Sequence, residues 1–250
     1  MNKKIKNIFS LLKYRLKGFS FLQIYEIREG LKENVDISIY AKKEFNDNQM
    51  YYIRSWLKEN VDISPYITKK MDVLQCAEIG YGLQNNVDVS IYAKDEFDYK
   101  QMCQMRWGLE KGLDVSVYAM PRYTEKEMEI IRIGLEHNVN TIPYSKYDFN
   151  FGQILSICRG LEDGLDVSIY AKEIYDSNQM FEIEIALREG FDISHYVLNF
   201  NHESLFLIKS GLRKKIDVDL YAIPGYSYQQ MEGIFFYLLA RKEAGLDECE

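Results

Sequence analysis

Tyr40, Tyr66, Tyr92, Tyr118, Tyr144, Tyr170 and Tyr196 follow one another at intervals of 26 residues, and Tyr221 comes 25 residues after the last. Four residues ahead of them stand Asp36, Asp62, Asp88, Asp114, Asn140, Asp166, Asp192 and Asp217. So regular a period leaves few folds open. Each copy is one supersecondary unit, too small to bury its apolar face alone, so copies must stack on one another. Such an array needs no single central core. The 250 residues therefore suit one repeat domain over 1–250, made of a basic N-terminal cap helix (1–19), a half repeat (20–35), seven repeats (36–216) and a final repeat with its cap (217–250).

One unit reads approximately D-V-S-x-Y-A-K-x-x-F-D-x-x-Q-M-x-x-I-R-x-G-L-E-x-G-L, as over 88–113. Its eleventh column holds Asn46, Asp72, Asp98, Thr124, Asn150, Asp176, Asn201 and Ser227, and Ser20 opens the half repeat. These are N-cap residues, whose side-chain oxygens satisfy a free helical N–H. Apolar residues then recur at helical spacing, as at Met102, Met105 and Leu109. Asn34, Asn60, Asn86, Gly112, Asn138, Gly164 and Gly190 follow, and these residue types tolerate the left-handed backbone that ends helices. A long helix per unit is therefore predicted. Inside it recur Gly30, Gly82, Gly108, Gly134, Gly160, Ala186 and Gly211, interrupted by Trp56 and Tyr237. Glycine in a helix costs about 1 kcal/mol relative to alanine, so its recurrence predicts a close approach by another element.

The segment D-V-S-x-Y-A predicts a short helix of one to two turns, capped by its aspartate. Pro65 and Pro143 fall where a missing N–H is tolerated. A short strand is the competing reading, since V-x-I-Y alternates. The expected fold class is all-α, an α-solenoid of about eight 26-residue helix–short-helix repeats with terminal caps.

The motif D-V-S-x-Y-A followed by Q-M-x-x-I-R-x-G-L-E-x-G-L resembles the tandem helical arrays of many Firmicutes and phage-borne proteins. The resemblance covers residues 20 to about 246 and implies no defined activity. Its shorter period and different signature separate it from tetratricopeptide and Sel1-like arrays.

A net charge of −7 counts against general binding to phosphate backbones. The first 18 residues are the exception, with Lys3, Lys4, Lys6, Lys13, Arg15, Lys17 and no acid. Ile5, Ile8, Phe9, Leu12 and Leu16 make this a basic amphipathic helix. It reads first as a cap over the first repeat, and second as a membrane-surface helix. No apolar run is long enough to span a membrane, and no signal peptide is expected. Cys76, Cys103, Cys158 and Cys249 lack metal-ligand spacing and read as reduced packing thiols, which fits a cytoplasmic setting.

No motif for a catalytic nucleophile, a phosphate loop or a metal site occurs. His137, His195 and His202 stand apart from any such pattern. No enzyme activity, cofactor or metal is therefore expected. Departures from the repeat are more informative. Two helix columns four residues apart share one stripe and carry Tyr51 and Ser55, Ala77 and Tyr81, Cys103 and Trp107, Glu129 and Ile133, Leu155 and Arg159, Phe181 and Ile185, then Phe206 and Ser210. Either this stripe packs between units or it is an exposed aromatic surface of the kind binding hot spots use. Another column holds Arg28, Arg54, Arg106 and Arg132. It suits either a recurring internal salt bridge or an anion-binding row. The candidate binding residues are Tyr51, Tyr81, Arg106, Trp107, Arg132 and Arg159. The leading functional expectation is a non-catalytic scaffold for a protein or peptide. The alternatives are capture of a small anionic ligand such as a nucleotide signal, and a membrane-associated adaptor. Oligomeric state is not readable from the residues.

Overall fold

The computed structural model describes residues 12–246. Among these the chain is helical throughout, with turns and no strand. The long helices are α1 (Phe21–Glu33), α2 (Asp47–Lys58), α3 (Val73–Gln84), α4 (Tyr99–Glu110), α5 (Glu125–Glu136), α6 (Phe151–Glu162), α7 (Ser177–Arg188), α8 (His202–Arg213) and α9 (Tyr228–Glu243). The chain forms two compact units, residues 1–132 and 133–250, with the division inside α5. Within the first unit α1, α2, α3 and α4 pack each on the next, and within the second so do α6, α7, α8 and α9. This consecutive packing is that of a helical repeat array.

The caps act as the sequence predicts. In seven helices an Asn, Asp or Ser is joined by a glutamine three residues on, as with Asp98 and Gln101: the aspartate accepts from the Gln101 N–H at 2.9 Å, and Gln101 Oε1 accepts from the Asp98 N–H at 3.0 Å. This is a capping box. The glutamine amide then has a donor left over, and it reaches into the next unit. Gln101 Nε2 donates to the Tyr123 carbonyl at 2.6 Å, and Gln75 to Phe97 at 2.7 Å. In the second unit Gln153 donates to Tyr175 at 2.6 Å. One side chain thus closes a helix start and ties it to the following turn. At the other end, Asn34, Asn60, Asn86, Asn138, Gly112, Gly164 and Gly190 all have positive φ. Lys215 holds the same conformation at φ 53°, although its residue type gave no sign of it.

The short segments are briefer than the one to two helical turns expected. Six are single 3-10 turns, such as Val89–Ile91 and Val115–Val117, and the segments at 37–40 and 194–199 are plain turns. The reason is local. The Asp88 carboxylate accepts from the Ser90 N–H at 3.1 Å, and one turn later Tyr92 leaves the helical path to point inward.

That inward tyrosine explains the glycine column. Tyr40, Tyr92, Tyr118, Tyr170 and Tyr221 are fully buried, and each hydroxyl donates to a long-helix carbonyl 14 residues earlier, as Tyr118 to Gln104 at 3.1 Å. A Cβ on Gly108 would lie 2.0 Å from the Tyr118 hydroxyl, and on Gly30, Gly82, Gly160 and Gly211 1.8–1.9 Å from the equivalent one. The hydroxyl occupies the space a side chain would take. Burial raises the pKa of Tyr40, Tyr92, Tyr170 and Tyr221 well above the ordinary tyrosine value, so they remain neutral donors.

Tyr66, Tyr144 and Tyr196 break the pattern and are only half-buried. In their units the next residue, Ile67, Ser145 or Val197, is buried. The five buried tyrosines are instead followed by alanine. A residue larger than alanine after the tyrosine takes the core position and displaces the ring.

Candidate partner-binding surface

The arginine column lies over a row of buried acids and amides. Arg54 Nε donates to Glu26 at 3.0 Å, Arg106 Nε to Glu78 at 2.8 Å, and Arg132 Nε to the Gln104 side-chain oxygen at 2.9 Å. Each partner stands 28 residues earlier, one repeat plus two. Arg54 also pairs with Glu33, and Arg106 with Glu110 at 2.6 Å. Burial works against the charge on Arg106. The hydrogen bonds it donates to Glu78 and Glu110 outweigh this and keep the guanidinium charged. Of the two readings of this column, the internal salt bridge is the one the geometry bears out for Arg54 and Arg106. Arg28 is exposed, pairs with its neighbour Glu29 at 3.0 Å and lies over the Tyr25 ring at 4.9 Å.

Gly80 replaces arginine in this row. Its place is filled by Trp56, the residue that interrupts the glycine column one unit earlier: a Cβ on Gly80 would meet the indole Cε2 at 2.0 Å. The two departures from the repeat are thus a single packing event. The indole then meets the edge of Tyr81, with ring centroids 5.2 Å apart. Arg106 lies over Tyr81 at 5.6 Å and over Trp107 at 5.9 Å, and Arg132 lies over Trp107 at 5.4 Å. Trp56, Tyr81, Arg106, Trp107 and Arg132 therefore form one alternating stack across α2 to α5. Each cation–aromatic contact contributes about 0.5–1 kcal/mol.

Four of the six predicted site residues, Tyr81, Arg106, Trp107 and Arg132, come together here. Tyr51 lies one unit earlier, under Arg54 at 5.4 Å. Arg159 belongs to the second unit, where it donates to Glu184 at 2.9–3.2 Å and lies over Phe181 at 5.3 Å. There the charge order is inverted, with the acid buried in the arginine column, and Lys209 pairs with buried Glu182. Sequence reasoning missed Trp56, Glu78 and Gln104 as members of the cluster. The 28-residue offset between acid and arginine was the available signal.

The aromatic stripe is mostly outward. Tyr25, Tyr51, Tyr81 and Trp107 are 43, 46, 46 and 40% exposed, and in the second unit Phe181 and Phe206 are exposed too. Ile133 alone in the stripe is buried. Cys103, beside this surface, has its thiol pushed up to about 11 by burial, against the pull of Arg106 and Arg132. It is a poor nucleophile at neutral pH. His137 meets Glu162 at 2.8 Å and His202 meets Glu182 at 3.1 Å. Among the described residues, no group of three or more His, Cys, Asp or Glu is placed to hold a metal ion, and no helix is long and apolar enough to cross a membrane. No family model, curated protein or solved structure matches this chain.

Proposed function

We propose that the chain is a non-catalytic repeat scaffold that engages a protein or peptide partner through the aromatic edge of its first unit. One observation carries the reading. Arg54 and Arg106, which flank the exposed rings, are already paired with carboxylates, so the exposed aromatic rings rather than these guanidiniums are what this edge offers a partner. Exposed Tyr and Trp on a rigid scaffold bury large area at low entropic cost and are the commonest hot-spot residues. A nucleotide-like anion would have to draw these guanidiniums away from their partners, which leave little charge to offer it.

The test is affinity for a partner isolated on the intact protein and then purified. Tyr51→Ala/Tyr81→Ala/Trp107→Ala should bind it at least about 30-fold more weakly, as expected for loss of hot-spot residues, with an unchanged helical circular dichroism spectrum. Equal affinity of the two proteins would dismiss this surface. A thermal stabilisation by nucleotides that Trp107→Ala abolishes would put anion capture in its place.

A further inference from the structure

We infer that the N-terminal end of the first unit docks on an anionic lipid surface. Residues 12–16 are helical. A cap laid on the first repeat would bury the apolar side of this helix, yet Leu12 and Leu16, which share one helical stripe, are 53 and 88% exposed. After the turn at Gly18 the chain enters α1 with Phe21 and Leu22, and these are 77 and 54% exposed. The rest of the basic segment, 1–11, lies outside the described residues.

Cations stand beside these apolar groups. A cavity of about 380 Å³ is lined by Tyr14, Lys17, Phe19, Ala41 and Lys43. Among the described residues, Lys13, Lys17 and Lys43 make no ion pair, unlike Arg54 and Arg106 further along the unit. The sequence ahead adds Lys3, Lys4 and Lys6 with no acid, in a chain whose net charge is −7. Free phosphate would give no reason for four outward apolar side chains. An apolar protein groove would give no reason for unpaired lysines. A bilayer interface accounts for both: the acyl boundary takes the leucines and Phe21, and anionic headgroups attract the lysines. The cavity between Lys17 and Lys43 is open to a headgroup phosphate.

The test is co-sedimentation of the full-length protein with phosphatidylcholine vesicles and with mixed phosphatidylcholine–phosphatidylserine vesicles. The protein should pellet with the mixed vesicles, bind little to phosphatidylcholine alone, and release as salt is raised. Each lysine contributes about fivefold to partitioning, so Lys17→Glu/Lys43→Glu should weaken binding at least about 20-fold. Leu16→Ser/Phe21→Ser should weaken it more than about tenfold, as loss of two inserted side chains requires. These positions are at the surface, and an unchanged circular dichroism spectrum checks that the fold is intact. Wild-type protein left in the supernatant with the mixed vesicles would overturn the proposal. So would equal binding to both vesicle types, or wild-type binding by Leu16→Ser/Phe21→Ser.

Discussion

Two neighbouring helix interfaces in the first unit solve the same problem in opposite ways. Between α3 and α4 the row is ionic: Glu78 faces Arg106 at 2.8 Å, and Gly82 receives the Tyr92 hydroxyl from the short segment that follows its helix. Between α2 and α3 the row is apolar: Tyr52 stands where the acid would be, Gly80 where the arginine would be, and Trp56 fills the gap. The price of the second solution is the local lock. With tryptophan in the glycine position, Tyr66 is only half-buried and Ile67 takes the core site. The repeat period, the cap and the bridging glutamine are common to both. What varies is whether a glycine receives the tyrosine of the segment that follows its helix or the tryptophan of the helix before it, and the surface above the two interfaces stays continuous through Tyr81.

Converting one interface into the other is the strongest way to break this contrast. Gly80→Arg should destabilise the protein by roughly 4 kcal/mol, because the new side chain overlaps the Trp56 indole and brings a charge with no acid opposite. Adding Trp56→Gly and Tyr52→Glu should recover most of that loss by rebuilding the ionic pattern. Chemical denaturation of the three variants checks it, and a triple variant no better than Gly80→Arg would show that the interfaces are not interchangeable.

Gly108→Ala sharpens the other half of the comparison. The Cβ would sit 2.0 Å from the Tyr118 hydroxyl, and moving the ring costs packing and a buried hydrogen bond, about 3 kcal/mol together. Combined with Tyr118→Phe the loss should be less than the sum of the single effects, because the clashing oxygen is gone. Strict additivity in denaturation midpoints would contradict the fit between hydroxyl and glycine.

Much of this fold was legible beforehand, and the reasons are local. Asp98 and its equivalents act on backbone groups two or three residues away, so spacing alone reveals them. The glycines pointed to a close approach, and the regular tyrosines to the core, without showing that one fills the other. The displaced Tyr66, Tyr144 and Tyr196 were also open to inference, from Ile67, Ser145 and Val197 in place of alanine. The candidate surface was less legible. Whether Arg106 offers its charge outward depends on Glu78 in another unit, and that depends on how adjacent helices are rotated against each other. A chain pattern of one period says nothing of that rotation. The structure brings Tyr81, Trp107, Arg106 and Arg132 together, and the packing decides between the two readings of the arginine column for Arg54 and Arg106. Lys215 shows the reverse limit: position in the repeat, more than residue type, sets its left-handed backbone.

Arg54 and Arg106 hold helices together while Tyr51, Tyr81 and Trp107 face outward. The most direct test of this division is to compare Arg106→Ala with Trp107→Ser by chemical denaturation. Arg106→Ala strands Glu78 without its cation and should cost about 2–3 kcal/mol, a discounted value for a mostly buried pair. Trp107→Ser loses a ring that is 40% exposed and weak cation–aromatic contacts, and should cost less than Arg106→Ala, about 1–2 kcal/mol. The opposite order, with the tryptophan holding the fold and the arginine dispensable, would contradict the account.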